Sequence, residues 1–132
     1  MEKIPASNCI YVGTSKITKA GRGVFAGRNI KKGEIIERCP IIEIPRNDAA
    51  LLNKSIFVTY FFYFGKDKER MAIALGFGSI YNHSYSPNAK FKILQKERLI
   101  DFVAIKNIKK DDEITFNYRN GSPPKSPLWF EG

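Results

Sequence analysis

The sequence has few of the side chains that build metal centres and disulfide frameworks. Its 132 residues include one histidine and two cysteines, and neither a CxxC nor an HxxxH spacing is present. A zinc site would have to gather His83, Cys9, Cys39 and a carboxylate from distant positions, so we expect no bound metal. We interpret Cys9 and Cys39 as two buried thiols in a reducing compartment rather than as a disulfide.

Long apolar runs and several well-known catalytic motifs are also absent. No stretch reaches the length that spans a bilayer, and the N-terminal residues lack the apolar core of a signal peptide. These absences predict a soluble intracellular protein with no membrane partner. The sequence has no GxSxG elbow, no P-loop and no three-glycine dinucleotide motif, which argues against a serine hydrolase and the common nucleotide-binding folds.

Acidic side chains are the minority charge. The 22 Lys and Arg residues against 13 Asp and Glu residues give a formal net charge of +9, which favours a negatively charged partner. The length fits one domain, and a hydrophobic content of 43% is enough to build a core.

Short runs rich in β-branched and aromatic residues are separated by polar turns, and this pattern predicts a mainly β domain. The predicted strands are 9–12, 23–26, 35–39, 41–44, 56–64, 71–75, 89–94, 99–105 and 114–117. Strands 89–94 and 99–105 are expected to form a hairpin. A helix of two turns at most is predicted over 47–53, with Asn47 or Asp48 as its N-cap.

Two segments echo each other, and the end of the chain changes character. Residues 29–36 and 107–114 share an Asn-Ile-Lys-Lys start, which we interpret as one turn chemistry used twice rather than as a structural repeat. Residues 119–132 contain three prolines followed by Leu128-Trp129-Phe130. This segment is predicted to be a flap that docks on the domain or on a ligand, although packing on the core explains it equally well.

Three polar clusters remain as candidates for chemistry. The first is a GxG turn, 19–25; the second is a run of amide, imidazole and hydroxyl groups, 81–89; the third is a strand that ends in tyrosine, 113–118. Taken singly, each has an ordinary structural explanation: a tight turn for the first, bonds to backbone groups for the second, and a half-buried tyrosine for the third.

Taken together and in this order, the clusters resemble the SET-domain family of protein-lysine methyltransferases. They match its GxG before Val-Phe-Ala, its Asn-His-Ser-x-x-Pro-Asn and its Glu-Ile-Thr-Phe-x-Tyr. The likeness covers about 16–118 of a single domain, 1–132, with 119–132 as the flap, and is closest to minimal SET proteins without zinc-binding flanks. It implies a mainly β fold of several small sheets with few short helices and a C-terminal pseudoknot, a rare exception to unknotted topology.

The resemblance also implies methyl transfer from S-adenosylmethionine to a lysine amine, and it assigns roles residue by residue. Tyr118 would be the catalytic tyrosine. The residues expected to bind the cofactor are Lys19, Gly21, Arg22, Gly23, Asn82, His83, Tyr118 and Trp129. The walls of the substrate channel would come from Tyr60, Tyr63, Tyr81 and Phe116. Phe116 occupies the position that governs how many methyl groups are added, and a Phe there predicts products beyond monomethyl-lysine.

The expected substrate is a histone or another basic, DNA-associated protein, because the family's targets are basic. An enzyme of charge +9 would repel such a substrate unless its groove were locally acidic. The acidic residues considered for that groove are Glu37, Glu43, Asp48, Asp101 and 111–113. The excess positive charge would then associate the enzyme indirectly with DNA, and a homodimer stays open. The alternatives are a catalytically silent SET-like module that binds through its basic surface, and a β-rich nucleic-acid binder using Lys90-Phe91-Lys92.

Overall fold

The computed structural model describes residues 3–64 and 70–118, and short strands make up most of this part of the chain. The strands are β1 (Ile10–Thr14), β2 (Arg22–Ala26), β3 (Ile35–Ile44), β4 (Phe61–Phe64), β5 (Arg70–Ala74), β6 (Asn82–His83), β7 (Ala89–Leu94), β8 (Leu99–Ala104) and β9 (Glu113–Phe116). A short α-helix, α1 (Ala49–Asn53), lies between two 3₁₀ turns, Arg46–Asp48 and Ile56–Thr59. The prediction of a mainly β fold is confirmed.

The strands form two sheets. One has the order β1-β2-β9-β6 and the other the order β4-β5-β3-β8-β7. All pairs in the larger sheet are antiparallel, including the predicted hairpin of β7 and β8, in which Ala89 lies opposite Ala104 and Leu94 opposite Leu99. In the smaller sheet β9 pairs antiparallel with β2 and parallel with β6. Strand β9 therefore joins two segments that are far apart in the sequence.

Pro40 marks the point at which β3 changes partners. Residues before it pair with β8, and residues after it pair with β5. A proline has no N–H to donate to a ladder, so it is tolerated where the ladder passes from one neighbour to the next. The Pro40 carbonyl accepts from the Leu75 N–H at 2.9 Å, and the Ile41 N–H donates to the Arg98 carbonyl at 3.2 Å. The two strands predicted on either side of Pro40 are one continuous strand.

Aromatic rings fill the space between the sheets beside β9. The Phe116 ring centroid lies 5.3 Å from that of Phe102, 5.4 Å from that of Phe91 and 6.0 Å from that of Phe62. Strand β8 is buried at five of its six positions, as expected for a strand with neighbours on both sides. This core fixes the face of β9 from which the candidate site is built.

The segment 46–64 differs most from its prediction. The helix is present, but Asp48 has helical backbone angles at the N-cap position and its side chain makes no capping bond. The strand predicted over 56–64 is wrong in its first half: Ser55 accepts a hydrogen bond from the Phe57 N–H at 3.1 Å and starts a 3₁₀ turn there. A local serine cap thus overrides the β propensity of the residues that follow it.

The two echoing segments lie against each other as a symmetric pair. Ile30 and Ile108 exchange both backbone hydrogen bonds at 2.8 Å. The Asn107 side-chain oxygen accepts from the Lys32 N–H, and the Asn29 side-chain oxygen accepts from the Lys110 N–H, both at 2.9 Å. The shared sequence is therefore more than a turn chemistry used twice, because each turn supplies the side-chain acceptor of the other.

The remaining sequence expectations for the fold have mixed outcomes. Cys9 and Cys39 are both buried and free, which confirms two buried thiols. Burial raises the pKa of the Cys39 thiol, with a smaller effect of Glu37. No helix in the described part of the chain is long and apolar enough to cross a bilayer. Within 3–64 and 70–118, no group of three His, Cys, Asp or Glu side chains is placed to hold a metal ion. The predicted flap lies outside the described residues.

Candidate functional site

Strand β9 brings the three polar clusters together. Asn82 lies opposite Thr115 and His83 opposite Phe116 in the parallel ladder of β6 and β9, which continues through a bond of 3.1 Å from the Ser84 N–H to the Phe116 carbonyl. On its other edge β9 pairs with β2, where Val24 lies opposite Ile114. Strand β9 thus lies next to all three clusters, which are separate in the sequence: the GxG turn, the Asn-His pair and the terminal tyrosine.

The Asn82 side chain links these clusters directly. Its amide nitrogen donates to the Arg22 carbonyl at 2.9 Å and to a Glu113 carboxylate oxygen at 2.8 Å. Ser15 donates to the same carboxylate at 2.8 Å and 3.0 Å. A carboxylate that is partly buried needs such donors, because its desolvation would otherwise be costly. The Glu113 carboxylate therefore holds the Ser15 and Asn82 side chains, and Asn82 in turn holds the Arg22 carbonyl of the GxG turn.

The two glycines of the GxG turn have different roles. A β-carbon on Gly23 would lie 2.4 Å from a Glu113 carboxylate oxygen and 2.9 Å from the Asn82 amide nitrogen, so a larger residue there would displace these side chains. Gly21 has a φ of +75°, and a β-carbon on it would have no described atom within 4 Å. Gly23 is buried, whereas Lys19, Gly21 and Arg22 are exposed. The glycine at position 23 is explained by packing inside the protein, and the open surface lies on Gly21 and Arg22.

The His83 ring is hydrogen-bonded inside the protein rather than exposed to solvent. The side chain is buried, and its Nδ1 accepts a hydrogen bond of 3.0 Å from the Tyr118 N–H. The ring packs edge-on against Tyr85 and Tyr118, with centroid distances of 4.3 Å and 5.2 Å. His83 thus fixes the main chain of Tyr118 at the end of β9.

The Tyr118 hydroxyl donates to the Tyr81 carbonyl at 2.6 Å. Burial raises the pKa of Tyr118 to about 12, with smaller contributions from Tyr60 and from Glu113. The phenol is therefore neutral throughout the physiological pH range. It can donate a hydrogen bond or orient a polar group, but it is not a phenolate base.

The four residues predicted to line a substrate channel are not equally placed. Tyr60 lies close enough to Tyr118 to influence its pKa, and it is partly exposed. Tyr63 is 52% exposed and packs edge-on against Phe61. Phe116 is buried in the aromatic core, and its ring centroid lies 5.1 Å from that of Tyr118.

The Tyr81 ring lies in the core. Its side chain is 1% exposed, stacks on Phe102 with a centroid distance of 4.3 Å and donates its hydroxyl to Glu37 at 2.9 Å. Its role in a channel wall stays a prediction. The Tyr81 carbonyl, not its ring, faces the tyrosine at the site. Trp129, predicted to contact the cofactor, lies outside the described residues.

Asn88 is a site-forming residue to which the sequence analysis gave no role. Its side chain donates to the Glu113 carbonyl and accepts from the Thr115 N–H, both at 2.9 Å. These two bonds replace the ladder partner that β9 lacks beyond the two-residue strand β6. The signal was present, because an asparagine shortly after a proline-containing turn is well suited to bond backbone groups.

Four of the carboxylates considered for an acidic groove are used within the fold or by neighbouring arginines, whereas Asp48, Asp111 and Asp112 are exposed. Glu37 and Asp101 are buried, and Glu113 serves the junction with Asn82. Asp101 is paired with Arg38 through two bonds of 2.8 Å, and Glu43 is paired with Arg70. These carboxylates satisfy internal donors or neighbouring arginines, so they do not form a shared acidic surface.

The described geometry is a small β fold whose polar site is assembled on one strand from an exposed GxG turn, an Asn-His pair and a neutral tyrosine. The model of the SET domain matches residues 21–119. The chain belongs to the SET-domain family. This membership places it among the protein-lysine N-methyltransferases, in agreement with the relatives that it resembles.

Two relatives match most of the chain. The Schizosaccharomyces pombe histone-lysine N-methyltransferase specific for H3 lysine-37 is 26% identical over 113 residues, which are 86% of this chain and 72% of that protein. A Plasmodium falciparum crystal structure, described as that of a candidate histone methyltransferase, is 33% identical with a TM-score of 0.63 and covers 96% of this chain and 99% of its own.

The fold also occurs inside much larger proteins. An active polycomb repressive complex 2 in its stimulated state is 27% identical with a TM-score of 0.73, covering 86% of this chain but 15% of that chain. The same complex from Chaetomium thermophilum, in an autoinhibited conformation bound to S-adenosylmethionine, is 24% identical with a TM-score of 0.73. The latter likeness supports the fold alone.

Proposed function

We propose that the protein transfers methyl groups from S-adenosylmethionine to a lysine side chain of a protein substrate. The observation that carries the proposal is the junction on β9, where Asn82, His83 and Tyr118 are fixed by direct hydrogen bonds beside an open GxG turn. A module that only binds a partner does not need this complete arrangement. The family membership supplies the reaction class.

The residues of the turn suit the chemical groups of S-adenosylmethionine. Lys19 and Arg22 are exposed cations beside Gly21, and they complement the carboxylate of the methionine part. The open space at Gly21 allows a ligand to approach the backbone closely. Asn82 and His83 would form the far wall. When bound, S-adenosylmethionine supplies an electrophilic methyl group that is taken up by an amine, with a thioether as the leaving group.

The protein's own contribution is to present a neutral amine and to orient it. A free lysine has a pKa of about 10.4, so an environment that disfavours the ammonium form is needed near pH 7. The partly buried aromatic surroundings of Tyr118, with Tyr60 beside it, provide such desolvation. The neutral Tyr118 hydroxyl, held on the Tyr81 carbonyl, then fixes the geometry without taking the proton.

We infer that the substrate is a histone or another basic protein of chromatin. This proposal is supported by the Schizosaccharomyces pombe relative, which is a histone-lysine N-methyltransferase. We therefore propose that the protein acts at chromatin. We propose that its recognition of the substrate rests on the channel aromatics and on backbone contacts.

The net charge of +9 supports an accompanying association with DNA. Three arginines from separate segments, Arg46, Arg70 and Arg98, line one cavity of about 560 Å³ together with Glu43. Guanidinium groups bind phosphate oxygens well, and such contacts are independent of base sequence. This surface would hold the enzyme beside a DNA-bound substrate.

The function is tested by methyl transfer from labelled S-adenosylmethionine to core histones and to a nuclear lysate. The wild-type chain should label one or more lysines, and Tyr118→Phe should lower the rate by about 10- to 1,000-fold while the protein still binds the cofactor. Mass spectrometry of the product should show dimethyl- or trimethyl-lysine, because Phe116 has no hydroxyl that could crowd a methylated amine.

The control is Tyr11→Phe, which removes the hydroxyl that an exposed tyrosine of β1 donates to Asp111. Its rate should stay within about twofold of wild type. No transfer to any protein, together with no cofactor binding by calorimetry, would favour the alternative of a silent binding module. Only monomethyl-lysine at long times would refute the prediction for Phe116.

A further inference from the structure

Glu37 is a buried carboxylate that the proposed mechanism does not use. One of its oxygens accepts from the Tyr81 hydroxyl at 2.9 Å, and the other accepts from the Phe77 N–H at 2.9 Å. Burying a carboxylate is costly unless its oxygens accept hydrogen bonds. Both oxygens of Glu37 accept theirs from one loop. The loop is the segment 75–81, which leads directly into Asn82 and His83.

The loop is shaped around this carboxylate. Gly76 has a φ of +65°, and a β-carbon there would lie 2.5 Å from a Glu37 oxygen. A β-carbon on Gly78 would lie 2.5 Å from the β-carbon of Ala74 and 3.0 Å from the Cys39 sulfur. Both glycines allow the loop to pack onto β3, so the position of the loop is set by Glu37 and its neighbours.

Tyr81 connects the carboxylate to the candidate site. Its ring stacks on Phe102 and its hydroxyl is held by Glu37, so the side chain is fixed at both ends. The carbonyl of the same residue accepts the 2.6 Å hydrogen bond from the Tyr118 hydroxyl. A shift of the Tyr81 side chain would move this carbonyl, and the Tyr118 hydroxyl would follow it.

We propose that Glu37 and Tyr81 are positioning residues for the Tyr118 hydroxyl. The proposal rests on the proposed methyl transfer, in which that hydroxyl orients the reacting groups. Glu37 holds the Tyr81 side chain, and Tyr81 in turn holds the phenol through its carbonyl. Neither side chain touches a substrate, because both are enclosed by the core.

Tyr81→Phe is the sharpest test, since it removes one oxygen and keeps the ring. A loss of alignment of about 1 Å can cost up to about 100-fold in rate, so we expect kcat to fall by about 10-fold. KM for both substrates should stay within about twofold. Glu37→Gln keeps one acceptor oxygen and should show a smaller loss of the same kind. Tyr118→Phe should lower kcat less in the Tyr81→Phe background than in wild type, because the two changes affect one interaction.

Asp101→Asn is the matched control. Asp101 is also a buried carboxylate, but its two oxygens bind Arg38 of β3 instead of a group of the loop. This variant should lose stability with an unchanged kcat. If Tyr81→Phe fails to fold, Glu37→Gln carries the comparison. A kcat that falls equally in Glu37→Gln and Asp101→Asn would overturn the proposal, because general destabilisation would then explain both.

A second readout separates this proposal from the proposed function. In protein labelled at the tyrosine Cζ carbon, the nuclear magnetic resonance signal of Tyr118 reports its hydrogen bond without any substrate. The signal should shift in Glu37→Gln and Tyr81→Phe and stay in place in Asp101→Asn. An unshifted signal in both would overturn the positioning role. A shifted signal in a protein whose wild type transfers no methyl group would leave the positioning intact and refute the methyl transfer.

Discussion

At the scale of single residues, the candidate site depends on the missing side chain of a glycine as much as on the side chains that are present. Gly23 has no side chain, and its place is taken by the Glu113 carboxylate and the Asn82 amide. The resemblance to the SET domain predicted this glycine as a contact for the cofactor, which stays a prediction. The sequence could not show that a carboxylate and an amide of the protein approach the same glycine, since they come from two distant segments.

Gly23→Ala is therefore expected to destabilise the fold and the site together. Placing a β-carbon 2.4 Å from a carboxylate oxygen forces the Glu113 side chain away, and overpacking of this kind costs about 1–3 kcal/mol of unfolding free energy. Chemical denaturation measures the loss. Gly27→Ala is the control, because the nearest atoms to its β-carbon are at 3.5 Å and it should change stability by less than about 0.5 kcal/mol. Equal losses in both variants would contradict this explanation.

At the scale of elements, the sequence predicted pairing between neighbouring segments and missed pairing between distant ones. The hairpin of β7 and β8 follows from alternation and a polar turn, and it was predicted nearly to the residue. The two-residue strand β6 was not predicted, because its ladder exists only when β9 lies beside it. The pairing of the turns at Asn29 and Asn107 was missed for the same reason, since each side-chain acceptor serves a donor more than 70 residues away.

The symmetry of these turns predicts matched effects. Asn29→Ala and Asn107→Ala each remove one acceptor of a 2.9 Å bond, and each should lower the unfolding free energy by about 1 kcal/mol. Thermal or chemical unfolding measures both. Asn107→Asp keeps the acceptor oxygen and should lose less than about 0.5 kcal/mol. A large loss for one asparagine and none for the other would show that the turns are not equivalent.

At the scale of the whole molecule, the distribution of charge matters more than its sum. Glu37, Asp101 and Glu113 are used inside the fold, which leaves the surface more basic than the formal charge of +9 indicates. The sequence could supply the sum but not this division, because burial of an acidic residue depends on partners from other segments. The fold class and the three clusters were accessible from the sequence, whereas the positioning of Tyr81 was not.

The proposed DNA surface is tested by binding of a labelled 20-base-pair duplex at several salt concentrations. The double variant Arg46→Glu with Arg98→Glu should bind more weakly, and the slope of log affinity against log salt should fall by about 2, since each phosphate contact contributes about 0.9. Lys109→Glu with Lys110→Glu is the control of equal charge change, placed on an exposed turn. Equal losses in the two double variants would show that net charge, and not this surface, determines binding.

The place of β9 in the small sheet has a consequence for the order in which the protein becomes active. Its partner strands β2 and β6 begin 91 and 31 residues earlier (113 − 22 and 113 − 82), so neither ladder can close until residue 116 has been synthesised. Contacts of such sequence separation form late. A nascent chain that ends before β9 contains every strand of the larger sheet but lacks the junction of Asn82 with Glu113. The candidate site is therefore completed only when β9 docks between β2 and β6.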